Sequence, residues 1–224
     1  MEEGTKSDRF VIGRYRGMKG MRKRNIAIVV LFMIGMILAA AAIFGTHEIG
    51  RQKSKQWNEQ FSITGNQWNL IKNYKSQYMG DSSNIVGLFY HLPLGSEKMT
   101  YQIDSEAFVF EIDYEQGLAQ VGIHNHNISK EKNYNEKKDR KRGENEAYQS
   151  MIYNSVIAFS LIDNLQGIRY RFKDHCFFVT RERVMQSGQF VLPIQEEESA
   201  GDLKKNILGQ KDIKKLFTTL FQDE

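Results

Sequence analysis

His124 and His126 stand two residues apart in the run Ile123-His124-Asn125-His126-Asn127. On a strand, residues i and i+2 share a face, so both imidazoles could grip one metal ion. His175 and Cys176 would add ligands if a sheet brought them close. Asn125 and Asn127 favour the plainer reading, two solvated histidines at an exposed strand end, with pH sensing as the other use of such a pair. Cys176 is the single cysteine, so no intrachain disulfide can form. Its thiol could act as a nucleophile, but it opens Cys176-Phe177-Phe178-Val179, which reads as a strand entering the core. Asp81, Ser82 and Ser83 set a carboxylate beside two hydroxyls, a grouping that helix capping explains, since such side chains accept from the free amides of a first turn. Between 130 and 142 lie Lys130, Lys132, Lys137, Lys138, Arg140, Lys141 and Arg142. A basic cluster of this kind attracts polyanions. Glu131, Glu136 and Asp139 dilute the charge, the pattern of a solvated loop.

Other chemistries have no signature. No GxSxG nucleophile elbow, no phosphate-binding P-loop and no GxGxxG occurs. Nothing in the chain calls for a cofactor, and the expected protein is not an enzyme. The formal charge of +4 belongs to the N-terminus. Residues 1–24 hold eight bases and three acids, which leaves 23 bases and 24 acids for the remainder. That near-neutral remainder gives a nucleic-acid partner no support from overall charge, and none is expected.

The elements that must position these residues follow from periodicity. Trp68, Ile71 and Tyr74 lie at helical spacing. After Gly80, Asp81 or Ser82 caps a helix carrying Ile85, Leu88, Phe89 and Leu92, which Pro93 ends. Phe108, Phe110, Ile112 and Tyr114 alternate with Val109, Glu111 and Asp113 as a strand, with Glu115-Gln116-Gly117 as a hairpin loop and Val121 and Ile123 on the partner strand. Residues 129–146 are charged, with almost nothing to bury, and are expected to be a loop. Tyr148, Met151, Ile152, Ser155, Phe159 and Ile162 form one helical stripe. Ile168, Tyr170 and Phe172 alternate as a strand that pairs with 176–179 across Asp174-His175, and Ile213, Leu216, Phe217, Leu220 and Phe221 form a last helical stripe. The expected fold is α+β, a small antiparallel sheet with helices packed mainly on one face.

Residues 26–44 read IAIVVLFMIGMILAAAAIF, without a charge. In hydrocarbon every backbone amide must be satisfied internally, so such a run becomes a helix, and about 20 residues cross a ~30 Å core. Arg22-Lys23-Arg24 precede it, which places the N-terminus in the cytoplasm and the C-terminal domain outside the cell. A cleaved signal peptide is the rival, with an A-x-A-like site at 40–42, but the apolar run exceeds the usual ~7–15 residues of a signal core. The expected organisation is a basic cytoplasmic tail over 1–24, a signal-anchor helix in membrane lipid over 25–45, a stalk over 46–65 and an extracytoplasmic domain over 66–224.

The segment Tyr78-Met79-Gly80-Asp81-Ser82-Ser83-Asn84, continuing through Leu88 to Leu92-Pro93, resembles domain of unknown function 4825, a family found outside the membrane in Firmicutes. The family pattern runs Tyr-x-Gly-Asp-Asn-Ser, then a hydrophobic helix ending in Leu-Pro. Ser82 stands where the family often has Asn. The strand ending Asp113-Tyr114, the helix at 145–163 and the passage Thr180-Arg181-Glu182 are similar too, so the resemblance covers roughly 66–222. It implies a compact extracytoplasmic domain on one anchor, and family members sometimes accompany membrane-bound regulators of the antibiotic-response type. No catalytic residues are established for the family, so none carries over. Sortase-type transpeptidases have similar size and topology, and pair a cysteine with a distant histidine and a downstream arginine. Here His124 is upstream and Arg181 and Arg183 follow, but Lys173-Asp174-His175-Cys176 departs from their Thr-Leu-x-Thr-Cys approach.

The function expected from all this is a non-enzymatic regulatory or accessory module at the cell envelope, binding a membrane protein or an envelope ligand. The alternatives are a cell-wall or teichoic-acid-binding protein using the basic run as an anionic-polymer site, and a thiol- or metal-dependent hydrolase.

Overall fold

The computed structural model describes residues 61–125 and 136–224. The chain divides into two units, Met1–Ser54 and Lys55–Glu224, and the described residues belong to the second. The expected tail and membrane helix lie outside the described residues. Among those described, no helix is long and apolar enough to cross a membrane. The segment expected as a stalk is described only from 61, and there Phe61 and Ile63 are already buried.

A short helix α1 (Trp68–Ile71) buries both its ends and runs into a 3-10 turn, Lys72–Tyr74. Ser76 then pairs with the end of a distant helix, its amide donating to the Leu161 carbonyl at 2.8 Å, and the Asp163 amide returns to the Ser76 carbonyl at 2.9 Å. Helix α2 (Ser82–His91) starts as its sequence demands. The Asp81 carboxylate caps it by accepting from the Asn84 amide, and Ile85, Leu88 and Phe89 form its buried face. Leu92 leaves the helix in extended conformation, as expected of a residue before Pro93.

The sheet follows: β1 (Met99–Asp104), β2 (Val109–Tyr114), β3 (Gly167–Arg171), β4 (Cys176–Thr180) and the short β5 (Gln222–Asp223), in the spatial order of the chain. β1 and β2 are antiparallel, as are β3 with β4 and β4 with β5, but β2 and β3 run parallel, Phe110 beside Ile168 and Ile112 beside Tyr170. The sheet is therefore mixed, a correction to the expected all-antiparallel one. A parallel pair needs a long crossover, and here it is made of α3 (Leu118–Asn125) and α4 (Glu136–Leu161).

Two further expectations fall with that topology. Val121 and Ile123 do not form a hairpin strand with 108–114. β2 already has β1 on one edge and β3 on the other, so no edge remains for them. Instead Leu118 and Val121 bury one side of α3. The Asp174 carboxylate accepts from the Leu118 amide at 2.8 Å, capping α3 from across the sheet end. The run 129–146, expected as a loop, is helical from Glu136. Its Lys, Glu and Arg residues favour helix, and Arg140 pairs with Glu144 at 3.2 Å one turn on. Packing there is by backbone. A Cβ on Gly122 would overlap the Gly143 carbonyl, and one on Gly143 would overlap the Ala119 carbonyl.

From Ser150 to Ile162 every residue of α4 and its end is buried, more than the one stripe expected. A helix enclosed on all sides sits at the centre of a core. On one side it meets the inner sheet face, Phe110, Ile112, Tyr114, Ile168, Tyr170, Phe177 and Val179, all in the same core. Around the rest lie α2, α6 (Glu197–Leu208) and α7 (Ile213–Leu220). Its polar side chains are used internally. The Asn154 amide donates to the Pro93 carbonyl at 2.7 Å, Ser155 meets the Tyr170 hydroxyl at 3.0 Å, and the Ser160 hydroxyl accepts from the Ile194 amide at 2.9 Å. A short α5 (Arg181–Gln186), capped by Thr180, links β4 to the α6 region.

Candidate functional site: a basic cleft

Residues 137, 140, 141, 144 and 148 recur at three- and four-residue steps, so one side of the first turns of α4 presents Lys137, Arg140, Lys141, Glu144 and Tyr148 together. That side faces the turn from α6 into α7, where Gln210, Lys211, Asp212, Ile213 and Lys214 close a cleft of about 790 Å³. Arg142 also lines it. Of the basic residues singled out from the sequence, Lys137, Arg140, Lys141 and Arg142 meet at this cleft, whereas Lys138 does not line it and Lys130 and Lys132 lie outside the described residues. Lys211 and Lys214 escaped the sequence reading. They carry no clustered charge signal, and only the packing of α7 against α4 makes them neighbours of the 137–142 run.

The floor is apolar. Tyr148 stacks on Phe217 with centroids 4.3 Å apart, and Ile213 is buried beside it. Burial, then the carboxylates of Glu144, Asp223 and Asp174, push the Tyr148 phenol above its ordinary range, so it stays neutral and offers a hydroxyl. Asp212 caps α7 by accepting from the Lys215 amide at 3.1 Å. What the arrangement can do is bind: it holds cations on two walls over an aromatic floor.

His124 lies in the last turn of α3, a helix and not the strand on which the expected pairing with His126 rested. Its Nδ1 lies 3.6 Å from the Glu97 carboxylate and its Nε2 2.6 Å from Gln120. Burial raises the Glu97 carboxyl and the facing His124 lowers it. His126 lies outside the described residues. His175 is elsewhere, stacked on Phe177 with centroids 5.4 Å apart. Among the described residues no group of three or more His, Cys, Asp or Glu is placed to hold a metal.

Cys176 opens β4 half-buried, its Sγ 3.7 Å from a Glu224 carboxylate oxygen. Desolvation and that carboxylate raise its thiol, the reverse of what activates a nucleophile. The 78–93 segment divides by role. Asp81 caps α2 and takes a 2.6 Å bond from the Ser83 hydroxyl, Leu88 is buried, and the Pro93 carbonyl receives Asn154. Met79 is buried and its amide donates to the Asn164 side chain at 2.6 Å, an anchor that no pattern in the sequence signalled. Tyr78 is 67% exposed, and a Cβ on Gly80 would meet nothing within 4 Å. Arg181 is structural, its guanidinium donating to the Leu165 and Ile162 carbonyls at 2.8 and 2.6 Å over the Phe159 ring.

Residues 71–181 match the family described as Domain of unknown function (DUF4825). That segment is a member of the family which the 78–93 motif resembles, and it spans α2, the β1–β4 part of the sheet and the whole crossover. No curated protein and no solved structure matches the chain.

Proposed function

Taking residues 71–181 as a DUF4825 domain, we propose that the chain is a membrane-anchored, extracytoplasmic and non-enzymatic module. It acts as a regulatory or accessory protein that binds a membrane protein or an envelope ligand. The observation that carries this reading is the union in one chain of two parts. One is the uncharged run 26–44 behind Arg22-Lys23-Arg24; the other is a packed unit with a cleft of about 790 Å³ lined by side chains suited to binding. Two site observations support the non-enzymatic half. The Cys176 thiol is raised away from the thiolate, and His124 is turned toward Glu97 and Gln120.

Topology is tested first. Lys205 is exposed on α6, so a Cys176→Ala, Lys205→Cys chain carries one accessible thiol. Labelling by a membrane-impermeant maleimide in intact cells is the expected result, and labelling only after permeabilisation rejects the reading. Crosslinking at native expression then captures the partner. A single dominant membrane protein supports the regulatory role.

A second reading, an envelope protein bound to anionic polymer, is favoured by the cations of the cleft. It predicts salt-sensitive retention on purified cell wall.

A further inference from the structure

We infer that the cleft between α4 and α7 binds a ligand bearing two or more phosphate groups, gripped by Lys137 and Lys141 from one wall and Lys211 and Lys214 from the other. This deepens the binding-module reading, and rests on it, by naming the ligand's chemistry. The lining holds six bases and three carboxylates. Two of those carboxylates have assigned work, Glu144 with Arg140 at 3.2 Å and Asp212 as the cap of α7. Among the described residues the four lysines form no ion pair, and all four are exposed.

Like charges gathered round one concavity repel, and an anion that reaches several of them at once relieves that repulsion. A phosphate group suits them for two reasons. It brings up to two charges and three acceptor oxygens, so two groups offset the excess. Lysine ammonium groups on flexible stems bind such oxygens as point charges, without the fixed fork that a carboxylate pair would ask of arginine. The volume of about 790 Å³ suits a small ligand or a short stretch of polymer. Tyr148 and Ile213 on the floor would pack against the carbon skeleton between the phosphates.

The test uses the full chain in neutral detergent micelles, titrated calorimetrically with sodium tripolyphosphate. Lys137→Gln with Lys141→Gln, and separately Lys211→Gln with Lys214→Gln, remove one wall each. Lys72→Gln with Lys173→Gln removes the same charge from exposed sites outside the cleft. Saturable binding is expected, weakened about tenfold by either cleft pair and less than about twofold by the control pair. Unchanged melting temperatures show that the variants fold. No saturable binding, or equal weakening by cleft and control pairs, overturns the inference. Two competition arms identify the source, micelles doped with phosphatidylglycerol and a soluble glycerophosphate polymer. Displacement of tripolyphosphate by one of them assigns the lipid or the polymer, and displacement by neither assigns a free phosphate compound. Failure of tripolyphosphate binding in a chain that is still labelled from outside at Lys205→Cys removes the cleft and leaves the module standing. Labelling only from inside removes the module instead.

Discussion

Asp81 illustrates how much a single side chain of this chain does by accepting hydrogen bonds. The Ser83 hydroxyl and then the Asn84 amide hold its carboxyl below the ordinary 3.8. A carboxyl lowered in the folded state adds stability that is present above 3.8 and lost as the pH falls through the folded value. Asp81→Ala should therefore lower the melting temperature at pH 7 and have little further effect near pH 2, with Ser83→Ala reproducing part of the loss. Equal effects at both pH values would remove the charge from the explanation. Tyr78 and Gly80 behave differently. Neither is held by the core, so Gly80→Ala should leave the unfolding free energy within about 0.5 kcal/mol of the parent, as for other surface changes. The motif was legible as a capped helix start because capping is a local, residue-type effect. The role of Asn164 was not, because its partner Met79 is 85 residues away.

At the scale of elements, the crossing of α3 with α4 is the sharpest constraint. Gly122 and Gly143 let two helix backbones touch, and the first atom each Cβ would strike is a backbone carbonyl oxygen. Alanine is the better helix former by about 1 kcal/mol, so a free helix surface would gain from Gly143→Ala. Here the overlap should reverse the sign and cost about 1–3 kcal/mol or more, read as a drop in the urea midpoint. A gain in stability would place the helices farther apart than described. This contact also explains two misread segments. Helices that pack through glycine leave no apolar stripe, so 136–146 looked like a loop, and Val121 with Ile123 offered only a strand-like alternation. By contrast, α2 and α7 were legible because each buries a continuous side-chain stripe, Ile85, Leu88 and Phe89 in one and Ile213, Leu216, Phe217 and Leu220 in the other. β1 carried a readable alternation too. Met99, Tyr101 and Ile103 pack on the core while Thr100, Gln102 and Asp104 are exposed.

At the scale of the molecule, Asn66 ties the start of the described domain to three other elements. Its side-chain amide donates to the His91 carbonyl at 2.6 Å, its side-chain oxygen accepts from the Tyr153 hydroxyl at 3.0 Å, and its main-chain carbonyl receives the Lys204 ammonium. Asn66 is 3% exposed, so Asn66→Ala strands the Tyr153 hydroxyl and the His91 carbonyl without water. A loss of about 2–4 kcal/mol is expected, with faster amide exchange at 61–66 than anywhere in α4. Uniform exchange would show that the tie is not local. The sequence by itself determined the helical stripes, the capped start of α2, the β3–β4 hairpin and the family motif, because each is a pattern within one element. The tertiary structure decided the parallel pairing of β2 with β3, the helical state of 118–125 and 136–146, the turn of His124 toward Glu97 and Gln120, and the meeting of Lys211 and Lys214 with Lys137 and Lys141. Those depend on which distant surfaces exclude water together, and hydrophobic periodicity within a segment carries no information about its partner.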